Sequence, residues 1–437
     1  MRRDLYAAGA AALLVTAAVL IGRRVQDTRH TLFVHWPPLL AEWDPHVGPG
    51  TPAAVLLAAA GAAQGPALAA RLPWRALLAA AWAASTGWIL SLALVDGWHR
   101  GVAARLTTRN EYLRAVGRFH DVPAALRDFG HHIVSGTPDP WPAHVAGHPP
   151  AATLTFVLLD RAGLRGGGWA GTWCVVLGAS ACVAVLIALR ALTDETLARR
   201  AAPFLVLSPA AVWLGTSADA YFAACAAWSL ALLALAVTGR SPARAVPAGL
   251  LFGLTCYLSY GLVLIALMGA AVLLLGRTAL RERPLLLPAL LAGAAAVPLA
   301  FTLAGFNWWT AYHLLVTRYY QGVGGVRPYT YWVWANLACA AVITGPATAA
   351  GLRRTGTALA HRTGPAGTRL AVLVSATLLA LLAADLSGMS KAETERIWLP
   401  FALWLLPACA RLPHPRPWLA AQAVLALLLN HLLLTGW

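Results

Sequence analysis

The chain has 437 residues, of which 59% are hydrophobic and 11% charged, and it carries a formal net charge of +16; its mean hydropathy is +0.64. A soluble globular chain carries roughly 25% charged residues, so a water-soluble enzyme is excluded. A nucleic-acid module is excluded too: the basic residues are almost all Arg spread through short links, Lys391 is the only lysine, and no basic run stands beside aromatics. Lipid headgroups and lipid-borne phosphates are the better-matched anionic partners.

Apolar windows of about 16 to 22 residues recur along the whole chain, and helices are what such windows form in lipid, where an unpaired backbone group is too costly. The first, "LYAAGAAALLVTAAVLIG", follows "MRRD" like the core of a signal peptide. No small-residue cleavage site precedes "RRVQDTRH", so it reads as a retained helix. Further spans are expected over 52–70, 76–95, 168–190, 201–216, 220–238, 245–259, 261–276, 284–303, 331–350, 369–386, 396–411 and 418–436. The fold class is therefore all-α: a polytopic membrane helical bundle of about thirteen spans forming one transmembrane domain over 1–437. The six cysteines fall in or beside apolar windows and read as small packing residues.

With the N-terminus in the cytoplasm, the Arg-bearing links "RALTDETLARR", "TGRSPAR", "GRTALRERP", "RRTGTALAHRTGPAGTR" and "RLPHPR" fall on the inner side, as the positive-inside bias requires. Residues 96–167 then form a long outer loop, whose stretches "NEYLRAVGRF" and "VPAALRDFGHHI" have the spacing of short helices lying on the membrane surface. The segment "AATLTFVLLDRAGL" is too short to span and suits a re-entrant or interfacial helix. Only Asp4, Asp194, Glu195 and Glu282 of the 17 acids lie inside under this topology. Any chemistry belongs to the outer face.

Asp96 ends the third span in "SLALVDGWHR", where its carboxylate reaches water on one side and low dielectric on the other, a setting that can tune a base. The plain alternative is an acid that marks the water boundary. Asp219, in "SPAAVWLGTSADAYF", lies on the same face and can orient an acceptor or a metal, or simply cap the following helix. His131, His132, His144 and His148 do not suit a zinc site, because Gly147, Pro149 and Pro150 break any helix that would align them; "HPP" reads instead as a rigid turn aiming the His148 ring at the membrane surface. In "KAETERIWLPF", Lys391, Glu393, Glu395 and Arg396 crowd a bilayer boundary, where they either bind something or pair with one another. Arg396 suits a phosphate, which guanidinium holds bidentately. Arg318 and Arg327 lie in the aromatic stretch "GFNWWTAYHLLVTRYYQGVGGVRPYTYWVW", which also reads as an interfacial belt.

This order of features, a helix ending in Asp96, a long outer loop, "GHPP", a helix into an Arg-rich link, a helix out and then "SADAYF", resembles the GT-C superfamily of membrane glycosyltransferases, which includes mannosyl-, arabinosyl- and aminoarabinosyltransferases. The resemblance implies transfer of a sugar from a polyprenyl-phosphate donor to a glycan, glycolipid or protein acceptor in the cell envelope, on the outer face of a bacterial plasma membrane and with inversion. It implies Asp96 as base, Asp219 as the second acid, and Arg396, Arg318 and Arg327 at the donor phosphate. His148, His144, Glu393, Glu395, Lys391 and Tyr260 complete the candidate acceptor- or substrate-binding set. No metal ligands are assigned; a divalent cation stays open as a cofactor, although Asp96 is followed by Gly97 where many members carry a second acid, which counts against a metal-assisted or paired-acid version. Residues 1–75 supply two helices beyond the family's core; if the first outer link is instead the counterpart, Asp44 in "AEWDPHVGPG" takes the role of Asp96. The rival class is a lipid or small-molecule transporter or flippase, which would show internal repeats and mid-membrane charges.

Overall fold

A computed structural model describes residues 1–361 and 364–436. Among these, seven helices are long and apolar enough to cross a membrane: Arg2–Arg29, Thr51–Arg71, Trp74–Asp96, Gly166–Leu192, Ala218–Thr238, Leu286–Leu303 and Pro365–Leu386. Tyr329–Thr344 and Pro346–His361 make an eighth if that bent pair counts as one span. The chain is a multi-pass helical membrane protein. Of the other expected windows, 245–259 forms the shorter, 17-residue helix Pro242–Leu258 and 261–276 a 3₁₀ turn leading into the helix Ile265–Leu275; the rest are interrupted or end in a strand.

The 331–350 window bends by 105° between its two helices, because Gly345 takes φ 77 and Pro346 has no N–H to continue the first helix. The 201–216 window breaks after Val206, resumes as a single turn at Ala211–Leu214, and leaves Ser208 and Pro209 between them. In the 396–411 window, Pro400 and Pro407 divide the chain into Thr394–Ile397, Leu399–Ala402 and the 3₁₀ turn Leu406–Arg411. Irregular backbone at membrane depth is tolerated only inside protein, and every residue from Trp398 to Ala410 is buried. The last window forms the helix Pro415–Leu432 and then a strand, Leu433–Thr435, which pairs antiparallel with Ala41–Trp43 in the register Ala41↔Thr435. This two-stranded ribbon departs from the expected all-helical chain.

Helices with apolar sides on lipid must pack by shape, and the Pro242–Leu258 and Leu286–Leu303 pair does so through small residues. A β-carbon on Gly249 would lie 2.1 Å from the Leu290 carbonyl oxygen, and one on Gly293 2.2 Å from that of Val246. The rest of Leu286–Leu303 is largely open to the surroundings, with only Leu286 and Gly293 buried.

Two ends of the bundle can be told apart. The 27-residue helix Gly166–Leu192 bridges them over roughly 40 Å at 1.5 Å per residue. At one end the link before Thr51 is tied to the residues before Asp96 and to the end of the last helix: Gly50 donates to the Leu94 carbonyl and His46 to that of His431. At the other end Arg199 donates to the Ala69 and Leu72 carbonyls, and Arg200 to that of Leu412.

The loop is less regular than expected. "NEYLRAVGRF" forms two 3₁₀ turns, Tyr112–Arg114 and Val116–Phe119, rather than a surface helix, because Tyr112 and Phe119 are fully buried in the core. "VPAALRDFGHHI" does form a helix, Val122–Asp128, capped by the Asp121 side chain. The Ala151–Arg161 helix follows Pro149 and Pro150, with Ala152, Phe156 and Val157 buried.

Candidate functional site

The Ala218–Thr238 helix begins at the loop end, with Ser217 as N-cap accepting from the Asp219 N–H at 3.1 Å. Asp219 is therefore both in the first turn, where the helix dipole favours a carboxylate, and almost fully buried. Its Oδ2 accepts from Ser217 Oγ at 3.2 Å and from Arg396 Nη1. Arg396 comes from the broken segment after Lys391, where Ala392 and Glu393 both take positive φ, 72° and 62°, and turn the chain inward. Glu393 then stands between two guanidiniums, 3.7 Å from Arg396 and 3.2 Å from Arg327.

Around this pair the loop contributes Glu111 and Tyr112. Glu111 Oε1 lies 2.9 Å from His144 Nδ1, and its Oε2 is buried with no hydrogen-bond partner. Tyr112 packs between Phe156 and His148, with ring centroids 5.4 and 5.6 Å away, and burial, with Asp219 and Glu111 adding to it, holds its hydroxyl well above the ordinary value. Burial likewise pushes His148 down to about 4, so its imidazole is neutral, and His148 Nδ1 lies 2.7 Å from the His144 carbonyl.

Asp96 sits beside this group, one residue removed through Arg105. Its Oδ2 accepts from Arg105 Nη2 at 3.0 Å and its Oδ1 lies 3.1 Å from His46 Nε2. Arg105 also donates to the Thr435 carbonyl of the ribbon at 3.2 Å. Arg105, Glu111, Tyr112, Ser217 and Arg396 line a common cavity with room, at about 10 Å³, for little more than one water. Two guanidiniums thus line one cavity, Arg105 paired with Asp96 and Arg396 with Asp219. Asp44, the alternative to Asp96, has an exposed side chain, but its carbonyl lies 2.6 Å from His46 Nδ1, so it positions the histidine that reaches Asp96.

Other candidates lie elsewhere. Arg318 donates to Ser135 Oγ and ties the Trp308–Gln321 helix to the loop. Lys391 Nζ donates to the Gly324 carbonyl at 2.8 Å. Arg327 is anchored on the carbonyls of Leu32 and Lys391 at 3.0 and 2.8 Å, and it reaches the Asp219 pair only through Glu393. Tyr260 packs edge-on against Trp308 and at a tilt against Tyr312. Glu395 is fully buried: its Oε1 accepts from the Leu40 N–H at 2.8 Å, its Oε2 has no partner, and burial pushes its carboxyl up to about 7. The charged run from Lys391 to Arg396 is thus largely an internal network.

His131 and His132 both approach Asp128, at 2.6 and 2.8 Å. Among the described residues no group of three His, Cys, Asp or Glu side chains is placed to hold a cation. Asp96 and Asp219 each already face a guanidinium, the charge that a cation would otherwise supply.

No protein-family profile matches the chain, and no curated protein does. The solved structures that match include those of the oligosaccharyltransferase of Archaeoglobus fulgidus. The apo form aligns at 15% identity and TM-score 0.45, over 77% of this chain and 50% of that one. The form tethered to an acceptor peptide aligns at 14% and 0.44, over 77% and 49%, and the complex with zinc and sulfate at 14% and 0.43, over 80% and 51%. The chain spans about half the length of these structures.

Proposed function

We propose that the protein is a membrane glycosyltransferase of GT-C type that moves a sugar from a polyprenyl-phosphate donor to an acceptor hydroxyl at the loop end of the bundle, on the outer face of the membrane. What carries the reading is one cavity flanked by Arg105 and Arg396, with Asp96, Asp219 and Glu111 in contact with it or with its walls. Guanidiniums already on the phosphate when the bond breaks stabilise the leaving group electrostatically.

In this mechanism the donor phosphate draws Arg105 and Arg396, and the bond between the sugar's anomeric carbon and the phosphate oxygen breaks as the acceptor oxygen attacks from the opposite face. The acceptor proton passes to Asp96, which is freed when Arg105 turns to the phosphate, while His46 holds the carboxylate in place. Asp219 keeps Arg396 aimed at the cavity. Because the cavity holds about one water, donor binding requires the 3₁₀ turns around Glu111 and Tyr112 to move outward. Glu111, with its unpartnered Oε2 on the cavity, is the alternative base.

The test is sugar transfer by the purified protein in liposomes from a panel of labelled polyprenyl-phosphate sugars. Asp96→Asn is expected to lower kcat on the order of a hundredfold or more, and Arg396→Lys to raise the KM for the donor. Full activity of Asp96→Asn with loss in Glu111→Gln moves the base to Glu111. Protein that moves labelled lipid between leaflets and transfers no sugar from any donor is a flippase instead.

A further inference from the structure

A second polar cavity lies at the opposite end of the bundle. It measures about 320 Å³ and is lined by Arg200, Arg353, Arg354 and Arg411 together with Leu197 and Thr357. These arginines come from three elements far apart in sequence, the helix Glu195–Val206, the helix Pro346–His361 and the 3₁₀ turn Leu406–Arg411, so the fold gathers positive charge that the sequence disperses. Among the described residues the acid paired with this cluster is Asp4, which also faces the N-terminal ammonium at 3.5 Å. Asp4, fully buried, accepts from Nε of both Arg353 and Arg354, at 3.1 and 3.0 Å, and from both their Nη2 groups. Four guanidiniums gathered around one carboxylate make this cavity wall strongly positive. The cluster is held in place: Asp4 fixes two forks, and Arg200 donates to the Leu412 carbonyl at 2.8 Å. Like charges this close, held by the fold, favour a bound anion.

The surroundings say which anion. Arg200 also borders a small hollow that shares Pro203 with an apolar groove of about 350 Å³. The groove runs between the Thr51–Arg71, Trp74–Ala93 and Glu195–Val206 helices and is lined by side chains such as Leu57, Leu68, Leu77 and Val206. A charged pocket linked through this hollow to an apolar groove at a membrane boundary has the two-part chemistry of a phospholipid, and the arginine-bearing ends of helices face the leaflet rich in anionic lipids. We propose that this cavity binds the phosphate of an anionic phospholipid of the inner leaflet, with an acyl chain in the adjoining groove, at a site about one membrane thickness from Asp219.

The experiment is retention of phosphatidylglycerol by the full-length protein from mixed phosphatidylglycerol and phosphatidylcholine nanodiscs, read by native mass spectrometry. Wild-type protein is expected to keep phosphatidylglycerol saturably. The Arg200→Gln/Arg411→Gln variant, which leaves Asp4 and its two arginines intact, is expected to lose roughly tenfold or more in retention. Arg240→Gln, which removes a half-exposed guanidinium paired with Glu282 on another link, is expected to retain as wild type does. Equal retention of the two lipids, no loss in the double variant, or the same loss in Arg240→Gln overturns the site. Arginine-dependent binding of millimolar inorganic phosphate with no preference for phosphatidylglycerol also overturns it, in favour of a soluble anion.

Discussion

Replacing Arg396 with Gln strands a carboxylate. Asp219 is 3% exposed and Arg396 4%, and with the guanidinium gone Asp219 keeps only the Ser217 hydroxyl and the helix N-terminus as favourable partners. Breaking a buried pair from one side costs about 3–5 kcal/mol, and the N-terminal dipole returns no more than about 1 of these. The opposite deletion is milder: in Asp219→Asn the guanidinium still has Glu393 at 3.7 Å, and the amide can still bond Ser217. Arg396→Gln should therefore lower stability by about 3 kcal/mol or more, Asp219→Asn by clearly less, and the double variant by less than the sum, with a coupling of about 1–3 kcal/mol. Thermal unfolding in detergent, followed through the buried tryptophans, measures all three. If the two single losses simply add, the residues do not act as a pair and the account of how Arg396 is aimed at the cavity is wrong.

Glu395 should give the chain an unusual pH response. Burial raises its carboxyl from 4.5 to about 7, so the folded state holds this proton more tightly than the unfolded one. Its contribution is complete below about pH 4.5 and is lost as pH rises through about 7; Glu395→Gln, which still accepts from Leu40, should melt above wild type at about pH 8 and converge with it in acid. His148 runs the other way. Its value falls from 6.5 to about 4, so its contribution is complete above about pH 6.5 and disappears as pH falls through about 4, and His148→Phe should flatten that decline in pH-dependent melting curves. At the Pro242–Leu258 and Leu286–Leu303 crossing, Gly293→Val must push the Val246 carbonyl away and should cost about 1–3 kcal/mol, while the same change at Gly117, which meets nothing within 4 Å, should be near neutral by the same melting assay.

Composition and window length are enough to read a multi-pass helical chain, because hydrocarbon admits few other solutions. They cannot tell a straight span from a broken one. Pro400 and Pro407 carry a visible warning, but whether such a segment is folded inside the bundle depends on neighbours such as the Ala218–Thr238 helix. At the site, residue type marked Asp96, Asp219 and Arg396 as costly in lipid, yet spacing gives no hint that an arginine nine residues after Asp96 would hold it, or that His46 would arrive from before the second helix. Glu111 was hidden by its setting: "NEYLRAVGRF" has helical spacing, and only tertiary contacts turn it into 3₁₀ backbone that presents the acid to a cavity. The ribbon of Ala41–Trp43 and Leu433–Thr435 was illegible for the same reason, since strand pairing across nearly the whole chain leaves no local pattern.

Thr216 is buried, and its hydroxyl donates to the carbonyl of Gly101, at the base of the long loop. It directly precedes Ser217, the cap of the helix that carries Asp219, so the loop and the acid-bearing helix are hitched together there. A large incoming molecule that levers the loop upward would tug on the helix start in the same movement. Widening the cavity and re-aiming its arginine are then a single mechanical event, and a chain built this way would register an occupant at Asp219 before any bond is made or broken.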